Sequence, residues 1–182
     1  MAKADLTAQR LRELLHYDPE TGVFTWLVRP AESFFGPRAS AIWHTRYCGK
    51  RAGCVNKVIG YATICILDKA YYAHRLAWLY ASGTEPIGEI DHINGEKADN
   101  RLGNLRDVSP QTNKQNMRSP PNKVAMTSIG VYYVKRDNLK RPYSASIALN
   151  GRHHHLGYFA TNEEAHAAYL KAKRVMHVGC TI

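Results

Sequence analysis

The sequence predicts an α+β protein built from two small modules, and three observations carry that expectation. A chain of 182 residues suits two compact units as readily as one. The run Ser119-Pro120-Pro121-Asn122-Lys123 reads as a linker, because consecutive prolines neither continue a helix nor enter a ladder. Past it the pattern changes to three short strands and one helix, and the charge changes too. Residues 1–100 carry 12 Lys/Arg against 11 Asp/Glu, whereas residues 101–182 carry 13 against 4. The expected division is 1–118, a linker over 119–127, and 128–182.

The elements follow in order. Residues 6–15 read as a short helix, with Thr7 as N-cap and Leu11, Leu14 and Leu15 on one face. Turn formers fill 17–22, and residues 23–27 read as a strand. Residues 29–57, with Pro30, Pro37 and Gly49, read as an irregular surface excursion or a nucleic-acid-facing loop. Residues 60–66 and 69–74 form a hairpin around Leu67-Asp68, a helix follows over about 75–81, and Ser82-Gly83 stops it. A polar, turn-rich stretch runs from 89 to 116. Beyond the linker, strands are expected at 130–134, 143–149 and 152–158. Asn150-Gly151 forms a two-residue turn, and a helix over 163–177 opens with a Thr161/Glu164 capping box.

Composition narrows the function classes. Hydrophobic residues make up 45% and charged residues 22%, as in folded globular proteins. The net charge of +10 points to a polyanion. No apolar run approaches the roughly 18 residues needed to span a bilayer, and the first residues lack a signal-peptide core, so nucleic acid is the expected partner and no membrane is. Cys48, Cys54, Cys65 and Cys180 form no CxxC pair and read as reduced thiols; a metal held by Cys48, Cys54 and His44 matches no common zinc spacing.

The stretch "DHINGEKADNRLGNLR" from Asp91 to Arg106, with "HRLAWLY" before it and "QTNKQN" after it, resembles the HNH endonucleases of phages, homing endonucleases among them. The resemblance covers roughly residues 7–118. It implies a ββα-metal (His-Me finger) core at about 70–118, in which the first strand carries Asp91 and His92, the loop runs to Asn104, and a helix delivers Asn113. The chemistry agrees. Phosphodiester hydrolysis needs a water nucleophile, and a hard divalent cation, Mg2+ or Mn2+, stabilises charge on the phosphate and the departing oxygen. Asp91 and Asn113 are suitable oxygen ligands, and His92 titrates near neutrality as a general base. Asn104 would pin the loop behind His92. Asn113 stands where many HNH nucleases have His. A lone Asp-His pair is usually a surface feature; Asp, His and two Asn at this spacing are not a lone pair. His74 is a further active-site candidate or simply caps the following helix, and Arg75 is a candidate phosphate contact. Trp78 and Tyr80 read as core or wall residues, and Glu89, Glu96 and Asp99 as solvated loop charges.

Residues 128–174, chiefly Gly130-Val131, Leu156-Gly157-Tyr158-Phe159 and an alanine-rich helix, resemble the APETALA or ethylene-response-factor DNA-binding domain, a three-stranded antiparallel sheet packed on one helix. Alternation puts Tyr143, Ala145, Ile147 and Leu149 against the helix. It turns Tyr132, Val134 and Arg136 on the first strand, Ser144 and Ser146 on the second, and His153 and His155 on the third toward DNA, with Lys135, Lys140, Arg141 and Arg152 as phosphate partners. Tyr, Ser and His stand where the plant pattern has Arg and Trp, and neighbouring strand histidines point to opposite faces, which disfavours a metal among His153, His154 and His155.

Together these resemblances imply a sequence-directed DNA endonuclease of a phage, acting on double-stranded DNA in the bacterial cytoplasm. It would need a divalent metal but no small-molecule cofactor, and would act as a monomer or weak dimer nicking one strand per active site. The alternatives are a non-catalytic DNA-binding regulator and a nuclease of packaging or restriction machinery.

Overall fold

A computed structural model describes residues 6–117, 127–135 and 139–181. Contacts divide the chain into two units, Met1–Val108 and Ser109–Ile182. The expected linker lies almost wholly outside the described residues, and the contact division falls ahead of it, at the end of a strand.

The first unit opens with α1 (Ala8–Leu14), capped by the Thr7 hydroxyl, which accepts from the Arg10 N–H at 3.1 Å. The antiparallel hairpin of β1 (Leu15–Asp18) and β2 (Val23–Trp26) follows. The next segment corrects the irregular excursion expected over 29–57. It holds α2 (Pro37–Tyr47), an eleven-residue helix with proline at its first position, and the short β3 (Cys54–Val55). Proline at a helix start has a pre-set φ and no N–H to waste, so Pro37 marks the beginning of a helix and not a break.

β4 (Ala62–Ile66) pairs with β3 and with β5 (Lys69–Tyr72). Leu67 and Asp68 both adopt positive φ, the type I′ geometry that fits two-residue hairpins. α3 (Ala73–Ser82) starts directly after β5, so His74 lies in its first turn and not on the strand as expected. Gly83 ends it in the left-handed conformation. The unit closes with the hairpin of β6 (Glu89–His92) and β7 (Leu105–Val108), spanned by a long loop. One core joins these pieces: Leu11, Leu14, Leu15, Phe24, Ile64, Ile66, Leu76, Leu79, Ile90 and Leu105 are all buried together. Trp78 and Tyr80 pack against it as partly buried walls.

The second unit begins with α4 (Pro110–Gln115), capped by Ser109, and continues with β8 (Val131–Tyr133), β9 (Tyr143–Leu149), β10 (Arg152–Phe159) and α5 (Asn162–Met176). The strands form an antiparallel sheet in the order β10-β9-β8, with α5 packed on it. Asn150 and Gly151 take the positive φ values of the expected turn. Thr161 caps α5 by accepting from Glu164 N–H, while Glu164 accepts from Ala160 N–H. Val131, Ala145 and Ala165 form the small core, with Ile147 buried as well. The residues after α4 belong here: Lys173, a buried cation, donates to the Met117 carbonyl at 2.5 Å, and Gly179 N–H donates to the Gln115 side chain at 3.0 Å. Among the described residues no helix is long and apolar enough to cross a membrane.

Candidate active site

β6 ends at His92, opposite the start of β7 at Leu105, the register pairing Asp91 with Arg106 and His92 with Leu105. Gly88 lets the strand approach: a Cβ there would sit 2.3 Å from the Val108 carbonyl oxygen, and its N–H and that of Ile87 are held by the Asp107 carboxylate at 2.8 Å. Asp91 and His92 are both buried. The Arg106 guanidinium donates from Nε and Nη2 to one Asp91 oxygen, at 2.8 and 2.7 Å, supplying the counter-charge a buried carboxylate requires. Arg106, part of the sequence motif but assigned no role from it, is thus the carboxylate's direct partner.

The loop from 93 to 104 is fastened throughout. Asn104 accepts from Asn94 N–H at 3.0 Å and donates to the Asp99 carbonyl at 2.9 Å, while its own carbonyl accepts from Ile93 N–H, the pinning role expected for it. Asp99 departs from expectation. It is no free solvated charge: its carboxylate accepts from Asn94 at 2.7 Å and from Arg101 at 2.8 and 2.6 Å, and those hydrogen bonds hold its pKa down to about 2. Glu89 and Glu96 are exposed. The N-terminal hairpin braces the same loop. Tyr17 donates its hydroxyl proton to the Asn100 carbonyl at 2.7 Å, and Leu102 N–H donates to the Pro19 carbonyl at 3.0 Å. Gly22, at φ +71°, lies so close to Asn100 and Arg101 that a Cβ would meet their backbone at 2.5 Å.

Around His92 the structure gathers an aromatic cage. The rings of His74 and His92 meet edge to face at 5.1 Å, His74 stacks on Tyr72 at 5.3 Å, and Tyr61 touches both histidines, at 5.1 and 5.9 Å. Lys97, from the loop, places its ammonium 4.8 Å from the Tyr61 ring centre. Burial depresses the pKa of His74 to about 4, with the charges of His92 and Arg75 adding to it. Burial also lowers His92, opposed by its hydrogen-bonding interaction with the Asn100 amide oxygen and by the Asp91 charge. Both imidazoles are therefore neutral at pH 7, the form in which a histidine accepts a proton. His74 Nδ1 is buried with no hydrogen-bond partner among the described residues. Tyr61 and Tyr72 carry no sequence signal of their own, and Asn100 lies inside the motif without a role assigned to it; Tyr61 meets His92 and Tyr72 stacks on His74 only through folding.

The structure thus brings Asp91, His92, Asn104 and His74 together within the first unit. Arg75 lies next to His74 in α3, with its guanidinium paired to Glu85 at 3.0 Å on the surface. Asn113 is half-buried on α4, in the second unit. Among the described residues no three His, Cys, Asp or Glu side chains cluster as a metal-binding group. An oxygen-seeking divalent cation makes no such demand, since one or two carboxylates, an amide, water and substrate phosphate suffice. Asp91 fits that donor set, and Arg106 is the group such a cation would compete with.

In the second unit, register places Tyr132, Ser144 and Tyr158 in one cross-strand row, Ser146 with His155 in the next, and Ala148 with His153 in a third, all on the face away from Ala145 and Ile147. Tyr158, exposed and adjacent to the residues expected there, joins this face through the bulge between His155 and Gly157. Tyr132, His153 and His155 are exposed; Val134, beyond the end of β8, is half-buried instead of exposed. Ser144 and His155 lie 3.4 Å apart. Lys135, Lys140, Arg141 and Arg152 are exposed at the sheet's margins, and Arg136 lies outside the described residues. A cleft of about 810 Å³ adjoins this face, lined by Tyr132, Ser146, Ala148 and His153 together with Gln111 and Lys114 of α4.

No curated protein and no solved structure matches the chain. The sequence model of a family described as HNH endonuclease matches residues 71–115, from the end of β5 to the last residue of α4, and so runs across the contact division at Val108. The match takes in His74, the Asp91-His92 pair, Asn104 and Asn113 together. Residues 71–115 are therefore an HNH endonuclease domain, with DNA as its implied substrate.

Proposed function

We propose that the protein is a metal-dependent DNA endonuclease of ββα-metal type in which His92 is the general base and the C-terminal sheet selects where it cuts. The observation that carries this is His92 itself: a buried, neutral imidazole at the end of β6, next to a buried carboxylate and behind a fully fastened loop. His92 takes the proton from the attacking water. Asn104 and Asp99 hold the loop so that the imidazole stays aimed, and Arg106 keeps Asp91 ionised inside the protein. A divalent cation, Mg2+ or Mn2+, held by Asp91 and Asn113 would neutralise charge on the phosphate and the departing oxygen. His74 buttresses His92 and sets the polarity around it. One such site per chain attacks one strand, so a monomer nicks.

The polar face of Tyr132, Ser144, Ser146, His153 and His155, ringed by Lys135, Lys140, Arg141 and Arg152, supports a role in reading duplex DNA. So does the placement of 13 of the 25 Lys/Arg beyond residue 100 against only 4 acids. An enzyme with its own reading module suits a phage-borne homing endonuclease better than a subunit of packaging or restriction machinery.

The test is incubation of the purified chain with supercoiled plasmid, with Mg2+, with Mn2+ and with chelator. Open circles that form only with metal are the expected product; no conversion under any metal would sink the nuclease assignment. Asp91→Ala should raise the metal concentration for half-maximal cutting at least tenfold, and Asn113→Ala should raise it less, because an amide brings no charge to the cation. Unchanged midpoints in both would remove them from the metal's shell.

A further inference from the structure

The near balance of charge over residues 1–100 conceals a segregation. Residues 28–57 hold six Lys/Arg and one acid, Glu32, while the remainder of that stretch holds six Lys/Arg and ten acids. This basic segment is the one that folds as α2. Its inner side is spent on anchoring. Trp43 packs edge-on against Trp26 at 5.7 Å, and the Arg29 guanidinium is held between both indoles at 4.8 and 4.4 Å. His44 bonds to the Arg29 carbonyl at 3.0 Å and lies 3.2 Å from the Ser40 hydroxyl. The chain then returns along β2, with Trp26 N–H donating to the Lys50 carbonyl and Ala52 N–H to that of Phe24.

The outer side is different. Arg38, Ile42 and Arg46 recur every four residues and form one exposed stripe, whose end residues stand about 12 Å apart along the axis. Other arginines of the first unit are already engaged, Arg10 with Glu13, Arg75 with Glu85, Arg101 with Asp99 and the exposed Arg12 with the Tyr80 carbonyl. Among the described residues Arg38 and Arg46 form no salt bridge, and neither do Lys50 and Arg51, which follow the helix and are also exposed. Ile42 is 57% exposed at the centre of the stripe, and Phe35, just before the helix, is fully exposed.

We infer that the outer face of α2 is a second duplex-DNA surface, within the nuclease unit, that binds phosphates without regard to sequence. Guanidinium groups with no acidic partner, about a groove's width apart, match phosphates lining a groove, and an apolar centre between them suits sugar edges. Helix docking by Trp26, Arg29 and Trp43 fixes these charges before DNA arrives, so little ordering opposes binding. The stripe would hold the substrate to the cutting unit while the C-terminal sheet selects the site. This rests on the chain acting on DNA.

The test is a salt titration of binding by the full chain to a mixed-sequence duplex of about 25 base pairs. Loss of two phosphate contacts in Arg38→Ala/Arg46→Ala should shrink the slope of log K against log salt by about 2, since each contact contributes close to 0.9. Arg10→Ala, whose arginine is already paired, should leave it unchanged. An unchanged slope in the double variant overturns the inference. Circular dichroism checks the fold, and if the double variant is misfolded, Arg38→Gln and Arg46→Gln read singly should each remove about one unit; no change in either is equally fatal. Vesicles of phosphatidylglycerol form a parallel arm: loss of vesicle binding with an unaltered DNA slope would mean the stripe serves a membrane and would overturn the proposal. A wild-type chain that fails to nick plasmid yet shows the arginine-dependent slope refutes the nuclease assignment alone, whereas one that nicks with an arginine-independent slope refutes this inference alone.

Discussion

The loop of residues 93–104 and the outer face of the C-terminal sheet are both polar, yet they treat their polar groups in opposite ways. In the loop Asn94, Asp99, Asn104 and Arg101 bond one another, and Tyr17 and Pro19 brace it from outside. On the sheet, Tyr132, His153 and His155 stand exposed, and among the described residues the side chains of that face touch only lightly, through the long Ser144–His155 pair and a ring contact of His155 with Tyr158 at 4.7 Å. Chemistry requires a base held in a single geometry before substrate arrives, because misplacement costs rate. Recognition requires donors and acceptors still available to a partner. A fastened loop and an uncommitted face are what those two tasks demand.

The comparison is broken most severely at His92. His92→Ala should lower single-turnover cleavage by roughly 10²- to 10⁴-fold while changing duplex affinity less than about twofold. A variant cutting at the wild-type rate would show that the fastened loop does not serve a base there. In the wild type, burial lowers the His92 pKa below its ordinary 6.5, so the acid limb of the rate at saturating metal should have its midpoint below pH 6.5.

His74 offers a second, thermodynamic break. The unfolded chain takes up a proton on this residue near pH 6.5, whereas the folded one resists until about 4. Stability present above pH 6.5 is therefore lost as the pH falls through that window, by up to roughly 3 kcal/mol from this group. In His74→Phe, urea unfolding at pH 7 and pH 4.5 should show a smaller acid loss than in the wild type. Equal losses would place the acid sensitivity elsewhere.

Asn104→Ala leaves the Asn94 N–H without its acceptor and should cost about 1–3 kcal/mol in urea unfolding, with a parallel fall in cleavage rate. Full activity in that variant would mean the loop needs no pin. The gentlest perturbation is to the sheet: Ser144→Ala/Ser146→Ala should reduce the ratio of target to non-target affinity by less than about tenfold, with plasmid nicking at saturating protein unaltered. A loss of cutting equal to the loss of preference would dissolve the division of labour.

Much of this architecture was written in short-range signals. Thr7 before an apolar stripe, Leu67-Asp68 between β-rich runs, Asn150-Gly151, and Thr161 with Glu164 each act over two to four residues, and each does in the structure what its chemistry implied. Asn104 as the loop's pin is what the family resemblance implies, and its bonds to Asn94 N–H and the Asp99 carbonyl suit that role. α2 was misread because its helix is weakly amphipathic and begins with proline after glycine, local marks that suit a loop equally well. What settles it is the distant packing of Trp43 and Arg29 on Trp26.

By itself, then, the sequence determined most of the helices and strands, the turns and the family of residues 71–115, since these depend on residues close together in the chain. Tertiary structure alone decided that Tyr61 and His74 lie against His92, with Tyr72 stacked on His74, that Arg106 neutralises Asp91, and that the Tyr17 hairpin braces Asn100. Each of those joins residues brought together by burial of a common core, and no local periodicity encodes which side chains will meet across it. The low pKa of His74 has the same origin, because desolvation belongs to the folded interior and not to the histidine.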